Sequence, residues 1–188
     1  MKLAIIGYGR MGHEIEDVAF GRGHEIGLII DKDNTGDLNR QNLNGIDAAI
    51  EFSYPDAALE NILKCLENRI PVVSGTTGWL GDYDKAAEAC LLHGTSFIHS
   101  SNFSLGVNIL YRLNSELARI LSEYPVYSPF IEEVHHVKKL DSPSGTAISL
   151  AEGIVKQNPR YKGWSKGDTT AEDIIPVLSV REGMVPGI

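Results

Sequence analysis

The sequence predicts an α/β protein: an N-terminal Rossmann-type parallel sheet with helices on both faces, followed by an incomplete α+β unit. Three observations predict this. Short apolar runs alternate with amphipathic helical stretches over the first hundred residues, and a Gly-x-Gly-x-x-Gly turn joins the first run to the first helical stretch. Beyond residue 103 the alternation gives way to one long helix and a mixed succession of elements.

Lys2–Ile6, Glu25–Ile30, Ala48–Phe52, Ile70–Ser74 and Ser96–His99 are rich in Ile, Val and Phe and flanked by Gly, Asp or Ser, so they read as strands. Residues 11–22, 55–68 and 82–93 between them have helical spacing. In the second stretch Ala57, Ala58, Ile62, Cys65 and Leu66 recur at three- and four-residue intervals, and Pro55 stands in a first turn that needs no N–H. Leu105, Ile109, Leu110, Leu113, Leu117, Ile120 and Leu121 form the apolar stripe of a longer helix ended by Tyr124-Pro125. Ser128–His136 is then expected to be a strand, Asp141–Thr146 a turn, Ala147–Val155 a helix and Ile174–Val180 a last strand, with residues 157–173 a polar surface excursion.

The chain has 188 residues and a formal charge of −8, which speaks against nucleic acid as a general partner. No apolar run reaches the roughly 20 residues that span a bilayer, so no membrane partner is expected. The N-terminal run leads into glycines rather than a cleavage site, and the expected location is the cytoplasm. Two cysteines, Cys65 and Cys90, sit in apolar helical patterns without a CxxC pair and read as buried thiols in a reducing compartment.

Gly7-Tyr8-Gly9-Arg10-Met11-Gly12 follows an apolar strand and opens a helix, and Asp31 closes the next strand 19 residues after Gly12. This is the βαβ dinucleotide fingerprint. The first glycine permits the tight turn, the second lets a pyrophosphate approach, the third lets helix and strand pack, and the acid accepts from the ribose 2′-OH. Asp31 repels a 2′-phosphate and Lys32 attracts one, so NADH and NADPH both remain candidates. Gly75, Thr76 and Thr77 follow the fourth strand, and Ser100, Ser101, Asn102 and Phe103 follow the fifth; loops there face the ligand crevice. Residues 1–103 therefore read as a dinucleotide-binding domain and 104–188 as a substrate-binding α+β domain.

His135-His136-Val137-Lys138-Lys139 concentrates four basic side chains in a protein of net charge −8. Pro143 near a first helical turn, with Ser142 or Ser144 as cap, predicts a helix N-terminus beside it. Imidazoles, ammonium groups and free amides suit a small substrate bearing carboxylates, and the same groups can move protons. Along an extended segment His135 and Lys139 share one face, which pairs them. The adjacent histidines lack an HExxH or Cys partner, so no metal is expected. The residues leave open a dehydrogenase of some small amino or imino acid, or a nucleotide-binding fragment without turnover.

GYGRMG at 7–12, EFSYPDA at 51–57, GTTGW at 75–79, SNFSLGVN at 101–108 and HHVKKLDSPSGTA at 135–147 together narrow the choice. With these motifs in this order the chain resembles the 4-hydroxy-tetrahydrodipicolinate reductase (dihydrodipicolinate reductase) family of the diaminopimelate route to lysine. The resemblance implies NAD(P)H-dependent reduction of a cyclic dicarboxylate to tetrahydrodipicolinate. It implies His135 as acid/base and Lys139 as proton donor, with His136, Lys139, Gly145 and Thr146 holding the substrate. It assigns Gly7, Tyr8, Gly9, Arg10, Met11, Gly12, Asp31, Gly75, Thr76, Thr77 and Ser100 to Phe103 to the nicotinamide cofactor. A homotetramer is implied for a full-length form. In the family further strands follow the segment matching REGMVPGI, so the second domain is expected to be truncated at its C-terminus, leaving the activity of the 188-residue form open.

Overall fold

The computed structural model describes residues 1–139, 141–185 and 187–188; Leu140, inside the basic motif, and Pro186, in the C-terminal motif, lie outside the described residues. Contacts divide the chain into two units, Met1–Phe103 and Ser104–Ile188. The first contains β1 (Lys2–Ile6), α1 (Arg10–Gly21), β2 (Glu25–Ile30), β3 (Ala48–Glu51), α2 (Pro55–Glu67), β4 (Val72–Ser74), α3 (Tyr83–His93) and β5 (Phe97–His99). All five strands pair in parallel in the order β2-β1-β3-β4-β5. The expected parallel α/β sheet is present, and its order reverses at β1, so a crevice opens between the carboxyl ends of β1 and β3.

Alternation along the strands sorts the core. Ala4, Ile6, Ala49 and Val72 join Ala58, Ile62, Cys65 and Leu66 of α2 and Ala86 of α3 in one cluster. Leu3 and Ile5 are also buried, on the opposite face, where Ile15, Val18 and Ala19 of α1 lie beside Leu3 and Ile50. Ile62 and Leu66 are fully buried, each contributing about 1.5–3 kcal/mol of transfer free energy. Burial pushes the Cys65 thiol up to about 12, with Glu51 adding to the shift, so this cysteine is an inert core residue.

The second unit contains α4 (Leu105–Leu121), β6 (Ile131–His135), α5 (Gly145–Gln157), β7 (Gly163–Lys166) and β8 (Ile174–Arg181). Its three strands are parallel in the order β6-β8-β7. β7 falls within the stretch read as a surface excursion. Four residues carry too little apolar periodicity to announce a strand; pairing with β8 and the packing of Trp164 against Ile175 and Ile154 create it. Helix α5 begins two residues earlier than expected because the Ser144 side chain accepts from Ala147 N–H at 3.2 Å. The apolar stripe of α4 does not become core: Leu105, Ile109, Leu113 and Leu117 remain exposed. The helix instead meets α5 through small and polar positions. Asn114 Nδ2 donates to the Leu150 carbonyl (2.9 Å), and a Cβ at Gly153 would stand 3.2 Å from that amide nitrogen and 3.3 Å from Ser115 Oγ. No helix among the described residues is long and apolar enough to cross a membrane.

Candidate active site

At the carboxyl ends of β1 to β4 the first unit has a crevice of about 460 Å³ lined by Gly7, Tyr8, Gly9, Arg10, Met11, Asp31, Lys32 and the loops after β3 and β4. The glycines are used as the fingerprint requires. Gly7 turns with φ +91°, and a Cβ there would lie 2.0 Å from the Phe52 carbonyl oxygen. A Cβ on Gly12 would lie 2.4 Å from the Gly7 carbonyl oxygen, so this glycine seats α1 against the turn. Gly9, the N-cap of α1, has open space where its side chain would be and no side-chain cap. First-turn amides without a side-chain cap, beside open space and with Asp31 at the end of β2, fit a dinucleotide. Tyr8 packs against the His13 ring at a tilt and donates to the Glu16 carboxylate, which with burial and nearby acids raises its phenol above the ordinary range.

The loops after β3 and β4 hang on one carboxylate that sequence reading passed over. Glu51, fully buried, accepts from Ser53 N–H (2.9 Å), Ser53 Oγ (2.5 Å) and Thr76 Oγ1 (2.8 Å) on Oε1, and from Ser74 Oγ (2.6 Å) on Oε2. The Thr76 side chain therefore points into the fold. Its carbonyl accepts from Trp79 Nε1–H (2.9 Å) and lies 3.1 Å from His99 Nε2. Phe52, Ser53, Tyr54 and Pro55 also line the crevice, as does Lys32. The signal for Phe52 to Pro55 was positional: they follow β3, which borders the switch point. Gly12 and Ser100 to Phe103 are not among the crevice-lining residues. Ser100 Oγ donates to the Asn102 carbonyl (2.7 Å), and the Phe103 ring stands 6.3 Å from the Phe52 ring.

In the second unit, β6 and β8 share a face that changes character along its length. Ile131 and Val177 pack on Ala147 and Ala151 of α5. Towards the carboxyl ends the same alternation presents Glu133 and His135 on β6 beside Ser179 and Arg181 on β8, in register. The α5 N-cap lies at this polar end: both Glu133 oxygens accept from Ser144 N–H, at 3.0 and 3.1 Å. Glu133 Oε1 also accepts from Arg181 Nη2 (3.1 Å), and the same nitrogen donates to the Asp141 carbonyl (2.6 Å). Burial by itself would raise the Glu133 carboxyl, but the hydrogen bonds from Ser144 and Arg181 oppose it and hold the group below the usual carboxylate range.

The basic segment is not extended as expected. Strand β6 ends at His135, and Lys139 N–H donates to the His136 carbonyl (3.0 Å), closing a turn that breaks the alternation. Lys139 Nζ instead forms a two-oxygen ion pair with Asp141 (2.7 and 2.9 Å). Burial opposes but does not outweigh this pairing, and the Asp141 carboxyl is held low. Gly145 and Thr146 open α5, where their amides have no intrahelical acceptor. The turn and the helix start thus bring Lys139, Gly145 and Thr146 to the end of the sheet that carries His135. The imidazoles of His135 and His136 each have a buried Nδ1 without a hydrogen-bond partner.

Two sequence-family profiles match the chain: "Dihydrodipicolinate reductase, N-terminus" over residues 1–103 and "Dihydrodipicolinate reductase, C-terminus" over residues 106–188. The chain belongs to the dihydrodipicolinate reductase family. A 4-hydroxy-tetrahydrodipicolinate reductase of Christiangramia forsetii is 50% identical over 189 residues, covering 100% of this chain and 77% of that protein. One of the same name from Chromobacterium violaceum is 37% identical over 139 residues, 74% of this chain and 49% of the other. Among solved structures, a dipicolinate-bound dihydrodipicolinate reductase from Paenisporosarcina sp. TG-14 superposes with a TM-score of 0.72 at 26% identity, covering 100% of this chain and 81% of that one. As a member of this reductase family the chain is an oxidoreductase that takes a nicotinamide cofactor.

Proposed function

We propose that the chain catalyses NAD(P)H-dependent reduction of 4-hydroxy-tetrahydrodipicolinate to tetrahydrodipicolinate. The observation that carries this is 50% identity, over the whole chain, to a reductase of that name. The dipicolinate held by the Paenisporosarcina relative supports a dicarboxylate as the ligand class.

On this reading the first unit binds the cofactor and the second the dicarboxylate. Arg10 and Met11 at the start of α1 receive the pyrophosphate, with Gly9 leaving the approach open and Gly12 seating the helix. Asp31 accepts from the adenosine ribose of NADH, and Lys32 beside it answers the 2′-phosphate of NADPH, so both forms are used. The bound nicotinamide supplies the hydride for the unsaturated ring that remains after water is lost. His136, Lys139, Gly145 and Thr146 hold the carboxylates with positive charge and helix amides. Lys139 and His135 are the groups that deliver the proton matching the hydride. Lys139 reaches this state by exchanging its Asp141 partner for a substrate carboxylate, a swap of one anion for another.

The test follows loss of reduced-nicotinamide absorbance with 4-hydroxy-tetrahydrodipicolinate, using the chain and its Lys139→Ala variant. The variant should lose turnover by about 10²-fold or more, the range of a general acid, while nicotinamide affinity stays unchanged. Wild-type turnover in Lys139→Ala would overturn the lysine assignment. Oxidation of the cofactor with another cyclic imino acid, but not with this substrate, would overturn the reaction.

A further inference from the structure

We infer that Glu133 is a positioning residue for proton transfer: it selects the working nitrogen of His135 while fixing the start of α5. The inference rests on the reading of His135 as a proton-transfer group.

Glu133 and His135 are two residues apart on β6, so their side chains stand on the same face. Oε2 of Glu133 lies 3.4 Å from His135 Nδ1. That nitrogen is buried and makes no hydrogen bond, and the Glu133 carboxylate is the acceptor that faces it. A carboxylate facing one ring nitrogen favours a proton there and leaves the other as the nitrogen that exchanges protons. Nε2 stands on the far side of the ring, beside Gly187, where a Cβ would come within 3.0 Å of it. A side chain at that position would crowd this nitrogen.

The carboxylate has a second task. With both oxygens on Ser144 N–H and Oε1 on Arg181, it ties β6, β8 and the N-cap of α5 at one point. Arg181 extends the tie to the Asp141 carbonyl, next to the carboxylate that holds Lys139. The contacts thus link Glu133 and His135 on β6, Arg181 on β8, and Lys139 and Asp141 in the turn. A purely structural brace needs the Ser144 and Arg181 contacts and has no use for the approach to His135.

The experiment is nitrogen-15 NMR of the His135 ring in the ligand-free chain at a pH where the ring is neutral, for wild type and Glu133→Gln. The Nδ1–H tautomer should dominate in the wild type, and the variant should shift towards Nε2–H. With the substrate of the proposed reaction, kcat of Glu133→Gln should fall by roughly tenfold or more, as expected for a misoriented acid/base. Its KM should rise less. A wild-type ring already in the Nε2–H tautomer overturns the inference, and this measurement needs neither turnover nor a variant that folds. An unchanged tautomer in Glu133→Gln overturns it equally. Failure of the reaction itself would appear as absent turnover in the wild type with the Nδ1–H tautomer intact, which separates the two.

Discussion

Replacing Glu51 probes how the crevice at the carboxyl ends of β1 to β4 is supported. Its carboxylate accepts one main-chain and three hydroxyl donors, and all of this lies beneath the loops that begin at Ser53 and Gly75. In Glu51→Ala the Ser53 N–H still reaches Thr76 Oγ1 at 2.8 Å, but the hydroxyls of Ser53, Ser74 and Thr76 lose their acceptor. A buried donor left unmade costs about 1–3 kcal/mol, partly offset because a desolvated charge disappears. The net loss should be about 2–5 kcal/mol. At about 2–4 °C per kcal/mol for a chain of this size, the melting temperature should fall by about 4–20 °C. Glu51→Gln keeps an oxygen for the Ser53 amide but puts an NH2 opposite Ser74 Oγ, so charge assistance and the acceptor of the Ser74 hydroxyl are lost, at about 1–3 kcal/mol. Circular-dichroism melting and a nicotinamide fluorescence titration on the three proteins measure this. An alanine variant that melts with wild type and binds cofactor equally well would refute the argument that Glu51 supports both loops.

Further outcomes follow from other contacts. Asp31→Ala should weaken NADH more than NADPH in equilibrium titrations, and equal losses would remove Asp31 from the ribose. Ser144→Ala deletes the α5 N-cap bond and should cost about 1 kcal/mol in denaturant unfolding, with a raised KM for the dicarboxylate; an unchanged KM would separate the cap from binding. The folded-state pKa of Glu133 is depressed, so its contribution to stability is fully present above the ordinary glutamate value of about 4.3 and is lost as pH falls through the lower folded value. Stability should therefore decline below about pH 4 in the wild type, with a shallower decline in Glu133→Gln; parallel acid curves would count against this.

Much of the first unit was legible because local rules dominate there. Lys2–Ile6 and Glu25–Ile30 emerge with the bounds read from composition, and Gly7 occupies the positive-φ turn that its place in the fingerprint requires. Parallel strands buried on both faces must be uniformly apolar, and such runs are easy to recognise. The second unit was less transparent. The β7 strand exists because β8 offers it a partner, and pairing energy is not written in four residues. The spacing of α4 marks an apolar stripe, yet the contacts run through Asn114, Ser115 and Ala118.

By itself the sequence determined the alternating elements of the first unit, its glycine turn and the family, because glycine geometry, strand composition and motif spacing act over short stretches of chain. Only the tertiary structure decided that Glu51 and Glu133 are the buried anchors of the two units, that Thr76 turns inward, and that Lys139 pairs with Asp141 rather than lying in line with His135. These are contacts between residues brought together by sheet register and a turn. A buried carboxylate must find donors wherever the fold brings them, and those donors leave no local mark on the sequence.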